Sequence, residues 1–172
     1  MEYKPCVKVS RPPVGPEVLC KFSSLLLKDH VFWAVQEPLR SLVGCHYYFC
    51  DLEKGKSRLY MCLGENDEFL GCVTGEEIDG VFWGHLFFDL GVSALECMTL
   101  AEPVIIADYA HDGIVLKATE AAIPEYNQAA QRVAKRFGFV DMGILPGLTV
   151  RRGEELKEFQ VRRFRKELKN NG

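Results

Sequence analysis

The chain has no pair of cysteines at the two-residue spacing of a zinc ribbon. Its seven cysteines (Cys6, Cys20, Cys45, Cys50, Cys62, Cys72 and Cys97) make an odd number. A zinc ribbon or a disulfide framework needs tighter, paired spacing. Most of these residues are therefore expected to be buried free thiols in a reducing cytoplasm. Cys45, His46 and Cys50 come nearest to a metal cluster, and no metal is expected. No apolar run approaches the ~20 residues of a membrane span, and the opening MEYKPCVKVSRPP has no apolar signal core. The expectation is a soluble, cytoplasmic protein with no membrane partner. There is no internal repeat and no low-complexity tract. Charge of either sign is nearly balanced, with a net charge of −3 and a pI near 5.8, which gives no global case for a nucleic-acid partner.

What is present is ordinary globular composition over 172 residues, enough for one domain with a single core. Residues 1–15 form a Pro-rich lead-in, 16–44 leading helices, and 45–172 a sheet core with closing strands. Val18, Leu19, Phe22, Leu25 and Leu26 recur at helical spacing from Pro16 to about Asp29, with proline at the start. Residues 31–43 form a second apolar stretch, a short helix broken at Pro38. HYYFCD, from His46 to Asp51, suggests a strand.

The middle of the chain changes to the period of a sheet. Arg58–Leu63, Phe69–Ile78 and Val81–Phe88 are three strands, and Asp79-Gly80 between the last two is a tight hairpin signal. From Ser93 to Gly113 the apolar residues return to helical spacing. Ser93 serves as N-cap, Gly113 as the stop, and Pro103 is a point of kinking. Ile114–Ile123 is then a strand, and a strand–helix–strand crossover implies parallel pairing. Asn127–Phe137 is a helix, Phe139–Ile144 a strand, and KEFQVRRFRKEL a final strand. The fold class is α/β, with a mixed, mostly antiparallel sheet carrying helices on both faces.

The stretch IPEYNQAAQRVAKRFGFVDMG, Ile123 to Gly143, is the most informative. Asn127 can accept a hydrogen bond from the first turn of its helix. Ala130, Val133, Ala134 and Phe137 form one apolar face, and Gly138 sits where a left-handed residue ends a helix. Asn127, Ala130, Gly138 and Phe139 together resemble the motif of the GNAT N-acetyltransferase superfamily. The element order from Arg58 to Phe164 is similar to that fold as well.

The resemblance implies that Val81–Phe88 and Ile114–Ile123 splay apart and admit acetyl-coenzyme A between them. The pantetheine arm would add to the edge of Val81–Phe88, at Phe87 and Phe88, in the manner of strand addition. The diphosphate would rest on the amides of Gly91, Val92, Ser93 and Ala94, and Asn127 would meet the cofactor arm at the rim. His85 is the candidate base, with packing on a strand face as the alternative. The acceptor would be an amine of a small molecule or a peptide. The resemblance further implies pairing of two copies into a homodimer through the C-terminal strands.

The chain departs from the family pattern in two places. Phe88 stands where the diphosphate loop has Gln or Arg, and Ser93 where it has Gly or Ala. No Lys or Arg occurs from Leu86 to Leu116, whereas Asp89, Glu96, Glu102, Asp108 and Asp112 do. Ala134 stands where many relatives carry the tyrosine that protonates the leaving thiolate. Tyr126 and Tyr109 are substitutes by proximity, Tyr126 being the catalytic candidate. The alternative to an N-acetyltransferase is a catalytically degenerate binding or structural protein of the same fold, phage-like in character, with Phe88 and Leu90 plugging the cleft. A third reading gives nucleic acid or another partner to the basic tail from Arg151 to Lys169, set against a charged strand guarding a sheet edge.

Overall fold

The computed structural model describes residues 2–28, 42–152 and 157–169. The second apolar stretch, at 31–43, lies almost wholly outside them. The elements are β1 (Lys8–Ser10), α1 (Pro16–Leu26), α2 (Leu42–Glu53), β2 (Arg58–Leu63), β3 (Phe69–Ile78), β4 (Val81–Phe88), α3 (Ala94–His111), β5 (Ala118–Pro124), α4 (Gln128–Arg136), β6 (Val140–Arg152) and β7 (Lys157–Glu167). The strands form one seven-stranded sheet in the order β1-β2-β3-β4-β5-β7-β6. All neighbours run antiparallel except β4 and β5.

Both faces of this sheet are covered, and the strand sequences show why. In β2, Leu59, Met61 and Leu63 join the core under α1 and α2. Tyr60 and Cys62 alternate with them and join the core under α3, so every residue of the strand is buried. Such two-sided burial is what a near-continuous apolar strand demands. On the first face Phe22 of α1 is fully buried. Its ring meets Tyr48 and Phe49 of α2 and Phe87 of β4, with centroids 5.1–5.8 Å apart. On the second face Cys97, Ala101, Ile105 and Tyr109 of α3 pack on the sheet. Met98, Ile123, Ala134, Phe139 and Phe164 tie α4 to the same side.

Local signals set most boundaries. Asp79 and Gly80 both take positive φ (54° and 83°), as a two-residue hairpin of this hand requires. Ser93 caps α3 by accepting from the Glu96 amide, and the helix runs through Pro103 to His111. Gly113 (φ 78°) then reverses the chain. Asn127 Oδ1 accepts from the Ala130 amide at 3.0 Å and opens α4.

Three expectations change. His46–Asp51 is not a strand but the middle of α2. Its aromatics suit a pleated surface, yet Tyr48, Phe49 and Leu52 fall on one helical face and dock on Phe22. The boundary expected at residue 44 therefore falls inside a helix, and the leading helices extend to Glu53. The lead-in is not featureless either, because β1 pairs with β2 as an edge strand. Finally, β5 begins at Ala118 rather than Ile114, since the chain must first climb back from the end of α3.

Phe22 joins both leading helices to the sheet. Phe22→Ala is expected to cost about 3–5 kcal/mol, seen as a lowered denaturant midpoint with an unchanged slope.

Candidate functional site

The parallel pairing of β4 and β5 is short. Val81, Phe82 and Trp83 face Ala118, Thr119 and Glu120, and there the pairing ends. Beyond it β4 continues to Phe88, bonded to β3 along its whole length. Residues up to Pro124 of β5 stay bonded to β7. The two strands thus part, and from Gly84 onward the cleft-side edge of β4 has, among the described residues, no strand beside it. Such an edge is a template for an extended, amide-bearing ligand. Below the parting lies an apolar cavity of about 60 Å³ lined by Phe82, Gly84, Leu86, Met98, Ala101 and Phe137, among others.

The C-terminal end of β4 leads into a turn and then the start of α3. Gly91 takes φ 82°, a conformation that suits glycine. Ser93 caps the helix by accepting from the Glu96 amide, and the turn meets α3 at its positive, N-terminal end. Backbone donors and dipole together favour an anion there. A strip of backbone supports the turn from behind, with the Lys4 amide donating to the Gly91 carbonyl at 3.1 Å and Lys4 bridging Val92.

Asp89, which by sequence opposes an anion in this loop, is counterbalanced. Lys28, beyond the end of α1, forms an ion pair with it, and the Leu90 amide donates to Oδ1 at 2.8 Å. Burial pushes the Asp89 carboxyl up, but Lys28 and the Leu90 amide outweigh it and hold the group below its ordinary value, with Lys4 adding to the effect. The loop lacks cations of its own and receives them from distant sequence.

His85 lies on β4 within the stretch that borders the cleft. Its register partner is Thr74 of β3, so both side chains stand on the α1/α2 face. The Tyr48 hydroxyl of α2 is hydrogen-bonded to Thr74. His85 is open to solvent but sits in a concave, protein-crowded place. That desolvation lowers its imidazole below the ordinary 6.5, with Glu76 pulling weakly the other way. Burial keeps Tyr48 protonated far above the usual phenol range.

Across the cleft on the same face stands Glu120, whose side chain is wholly inaccessible. Arg163 grips it with two hydrogen bonds (2.8 and 2.5 Å) and Arg165 adds a third at 2.7 Å. Burial pushes this carboxyl up, but the two guanidinium groups win and hold it below its ordinary 4.5. The Arg163 guanidinium also lies 5.7 Å from the Trp83 ring centroid.

The remaining sequence candidates fall in different places. Phe87 turns its ring into the core on Phe22, leaving only its backbone for the cleft. Phe88 packs against the core beneath α3, and Leu90 is exposed. Neither lines the cavity, so the two do not act as plugs. Asn127 is the cap of α4 at the end of β5. Tyr126 sets its ring against Phe159 of β7, with centroids 4.9 Å apart, on the side of β5 away from β4. The structure therefore does not bring it to His85. Tyr109 is buried beneath the Arg58 guanidinium, its ring centroid 5.9 Å from that of Phe82. Ala134 is a core residue against Met98 and Phe164. Arg162, Arg163, Arg165 and Lys166 of the basic tail are paired with Asp141, Glu120, Glu167 and Glu102, which leaves no open cationic stripe among these residues.

Sequence reading missed Lys28, Thr74 and the Glu120 clamp. Only the alternation of Arg163 and Arg165 with apolar residues in the last strand hinted at a buried acid.

No protein-family model matches the chain, and no curated protein matches it. Solved structures do. The acetyltransferase that modifies the N-terminal serine of 50S ribosomal subunit protein L7/L12 from Salmonella typhimurium aligns at 14% identity. The alignment covers 95% of this chain and 96% of that one, with a TM-score of 0.70. The microcin C7 self-immunity acetyltransferase MccE, solved with acetyl-CoA and AMP, aligns at 13% identity over 94% and 93% of the two chains, with a TM-score of 0.68. The ribosomal-protein-S5-alanine acetyltransferase from Vibrio fischeri aligns at 14% identity over 94% and 93%, with a TM-score of 0.64. At these identities the likeness is one of fold, and the fold expected from the Asn127 helix and the element order is the one observed.

The Glu120 clamp carries a pH signature. Its folded carboxyl titrates below the unfolded one, so its stabilisation is complete above the unfolded value and is lost as pH falls through the folded value. Glu120→Gln is expected to lower stability by about 1–3 kcal/mol at pH 7. It should also flatten the loss of stability below pH 4.5, the ordinary value, as read by denaturant titrations across the acid range.

Proposed function

We propose that this chain is an N-acetyltransferase that moves the acetyl group of acetyl-coenzyme A directly to an amine of a small molecule or a peptide. The observation that carries this reading is the parting of β4 and β5 after three residue pairs, opening onto an apolar cavity and the amide-bearing start of α3. The solved structures of like fold are acetyltransferases, and MccE was solved with acetyl-CoA. The open cleft, unplugged by Phe88 or Leu90, weighs against a degenerate binding protein.

In this reading the pantetheine arm adds as a short strand to the free edge of β4, at the backbone of Phe87 and Phe88. The diphosphate rests on the amides of Gly91, Val92, Ser93 and Ala94, with Lys28 holding the Asp89 charge in check. Asn127 marks the rim at the end of β5. The acceptor approaches from the α1/α2 face, where His85, Trp83 and the Glu120 clamp lie.

The chemistry is one displacement. The ammonium of the acceptor gives a proton to His85, whose lowered pKa keeps it neutral and receptive at neutral pH. The free amine attacks the thioester carbonyl carbon, and backbone N–H groups along β4 stabilise the oxyanion that forms. Collapse breaks the carbon–sulfur bond, and the departing thiolate takes the second proton from the nitrogen, leaving an amide and the free thiol of coenzyme A. An alkyl thiol has a pKa of about 8.5, so the thiolate departs without a strong acid, consistent with Ala134 in α4. Tyr126 serves as proton donor only if its ring leaves Phe159.

Calorimetric titration with acetyl-CoA should give saturable binding, and none at millimolar cofactor would sink the proposal. His85→Gln should reduce kcat about 10²–10⁴-fold and leave acetyl-CoA affinity unchanged. Wild-type kcat/KM should rise with pH through an inflection below 6.5, and the variant should lack that limb. Lys28→Ala should expose the Asp89 charge to the diphosphate and weaken acetyl-CoA binding by about tenfold, roughly 1.4 kcal/mol, with kcat little changed.

A further inference from the structure

On the far side of the sheet from His85, three cysteines from three elements converge. Cys6 precedes β1, Cys62 is in β2 and Cys97 is in the first turns of α3. All three are buried, and their sulfurs lie within 4.8 Å of one another. We propose that Cys6, Cys62 and Cys97 form a three-thiolate site for a trivalent thiophilic metalloid, of which arsenic(III) is the type.

The geometry comes first. Bonds of ~2.3 Å to one central atom place three sulfurs roughly 3.5–4 Å apart, so the trio needs only small side-chain shifts to close on an ion. The donor set comes second. Three sulfurs and, among the described residues, no fourth ligand suit a three-coordinate centre. They do not suit structural zinc, which takes four protein ligands in a closed site. Thiolate sulfur in turn selects soft ions.

Charge selects among those soft ions. The surroundings are apolar, with Tyr60, Leu70 and Ala101 in the same core cluster. Glu96, next to Cys97 in α3, is negative, so it offers no counter-charge to an anionic centre. A divalent ion with three thiolates would leave a net negative charge in this place, which is unfavourable without a partner. A trivalent centre leaves none. Arsenous acid reacts with three thiols to give one arsenic–trithiolate and three waters. Three S–H and three As–O bonds break, three As–S and three O–H bonds form, and no redox change occurs.

The route in is the N-terminal segment. Cys6 is the trio's most accessible member, at 8% against 0% for the other two. Its strand is held by the Val7–Leu63 backbone bond and a three-residue pairing with β2.

The test is titration of the reduced chain with arsenite, read by native mass spectrometry and by near-ultraviolet sulfur-to-arsenic absorption. The expected adduct gains one arsenic atom and loses three hydrogens. Cys20→Ser, at an exposed thiol, should keep it. Cys6→Ser, and separately Cys6→Ala, should remove the three-hydrogen adduct while circular dichroism stays native. Absence of an adduct in the folded wild type would overturn the proposal, and so would its persistence in both Cys6 variants. Tighter binding of zinc(II) than of arsenite in a parallel titration would also overturn it, by contradicting the charge argument.

Discussion

The parallel contact between β4 and β5 lasts only three residue pairs, and the remaining architecture is organised around its ending. A parallel pair needs a crossover, here α3, which must start at the end of β4 and return to the start of β5. The start of a helix is thereby fixed beside the point where the sheet opens. Because β5 keeps its other edge on β7, it can leave β4 without losing its backbone partners. One edge of β4 is then the free backbone that a ligand can use. A longer pairing would close the cleft, and a shorter one would detach the C-terminal half of the sheet.

The gap is tolerable because both halves are anchored elsewhere. On the β4 side, Phe22 and its aromatic neighbours bind α1 and α2 to the sheet. Arg58 on β2 reaches Asp108 of α3 and Asp112 just past its end at 2.6 and 2.5 Å. On the β5 side, Glu120 is clamped by Arg163 and Arg165, and Lys166 of β7 pairs with Glu102 of α3 at 2.7 Å. Through α3, the Arg58–Asp108 and Lys166–Glu102 pairs tie the two halves to one helix. They are directional, so they fix the angle between the halves as well as their proximity.

Local features of the sequence were legible where local physics decides. Asp79-Gly80 located the hairpin, and the flanking alternation gave both strands to the residue. Ser93, Gly113 and Asn127 marked helix ends because caps depend on a few neighbouring amides. HYYFCD misled, since three successive aromatics read as pleated surface until the buried partner, Phe22, is known. The insertion of β7 between β5 and β6 has no local signal. Gly91 in the loop was legible as a turn, whereas the neutralisation of Asp89 by Lys28 was not. That contact spans 61 residues, and charge counting within the loop gives the opposite sign. His85 could be placed on the strand beside the cleft, but the Thr74–Tyr48 pair next to it depends on register and on a helix read as a strand.

The backbone strip behind the anion-binding turn has a consequence for the order of assembly. Lys4 holds the Gly91 carbonyl, and β1 lies on β2. These contacts join chain segments that leave the ribosome far apart in time, and the early segment must wait undocked until its partners exist. Closing so large a loop is slow, and an edge strand of three residues contributes little cohesion by itself. The turn therefore attains its final shape among the last events of folding, and it is among the first places to loosen when the protein breathes.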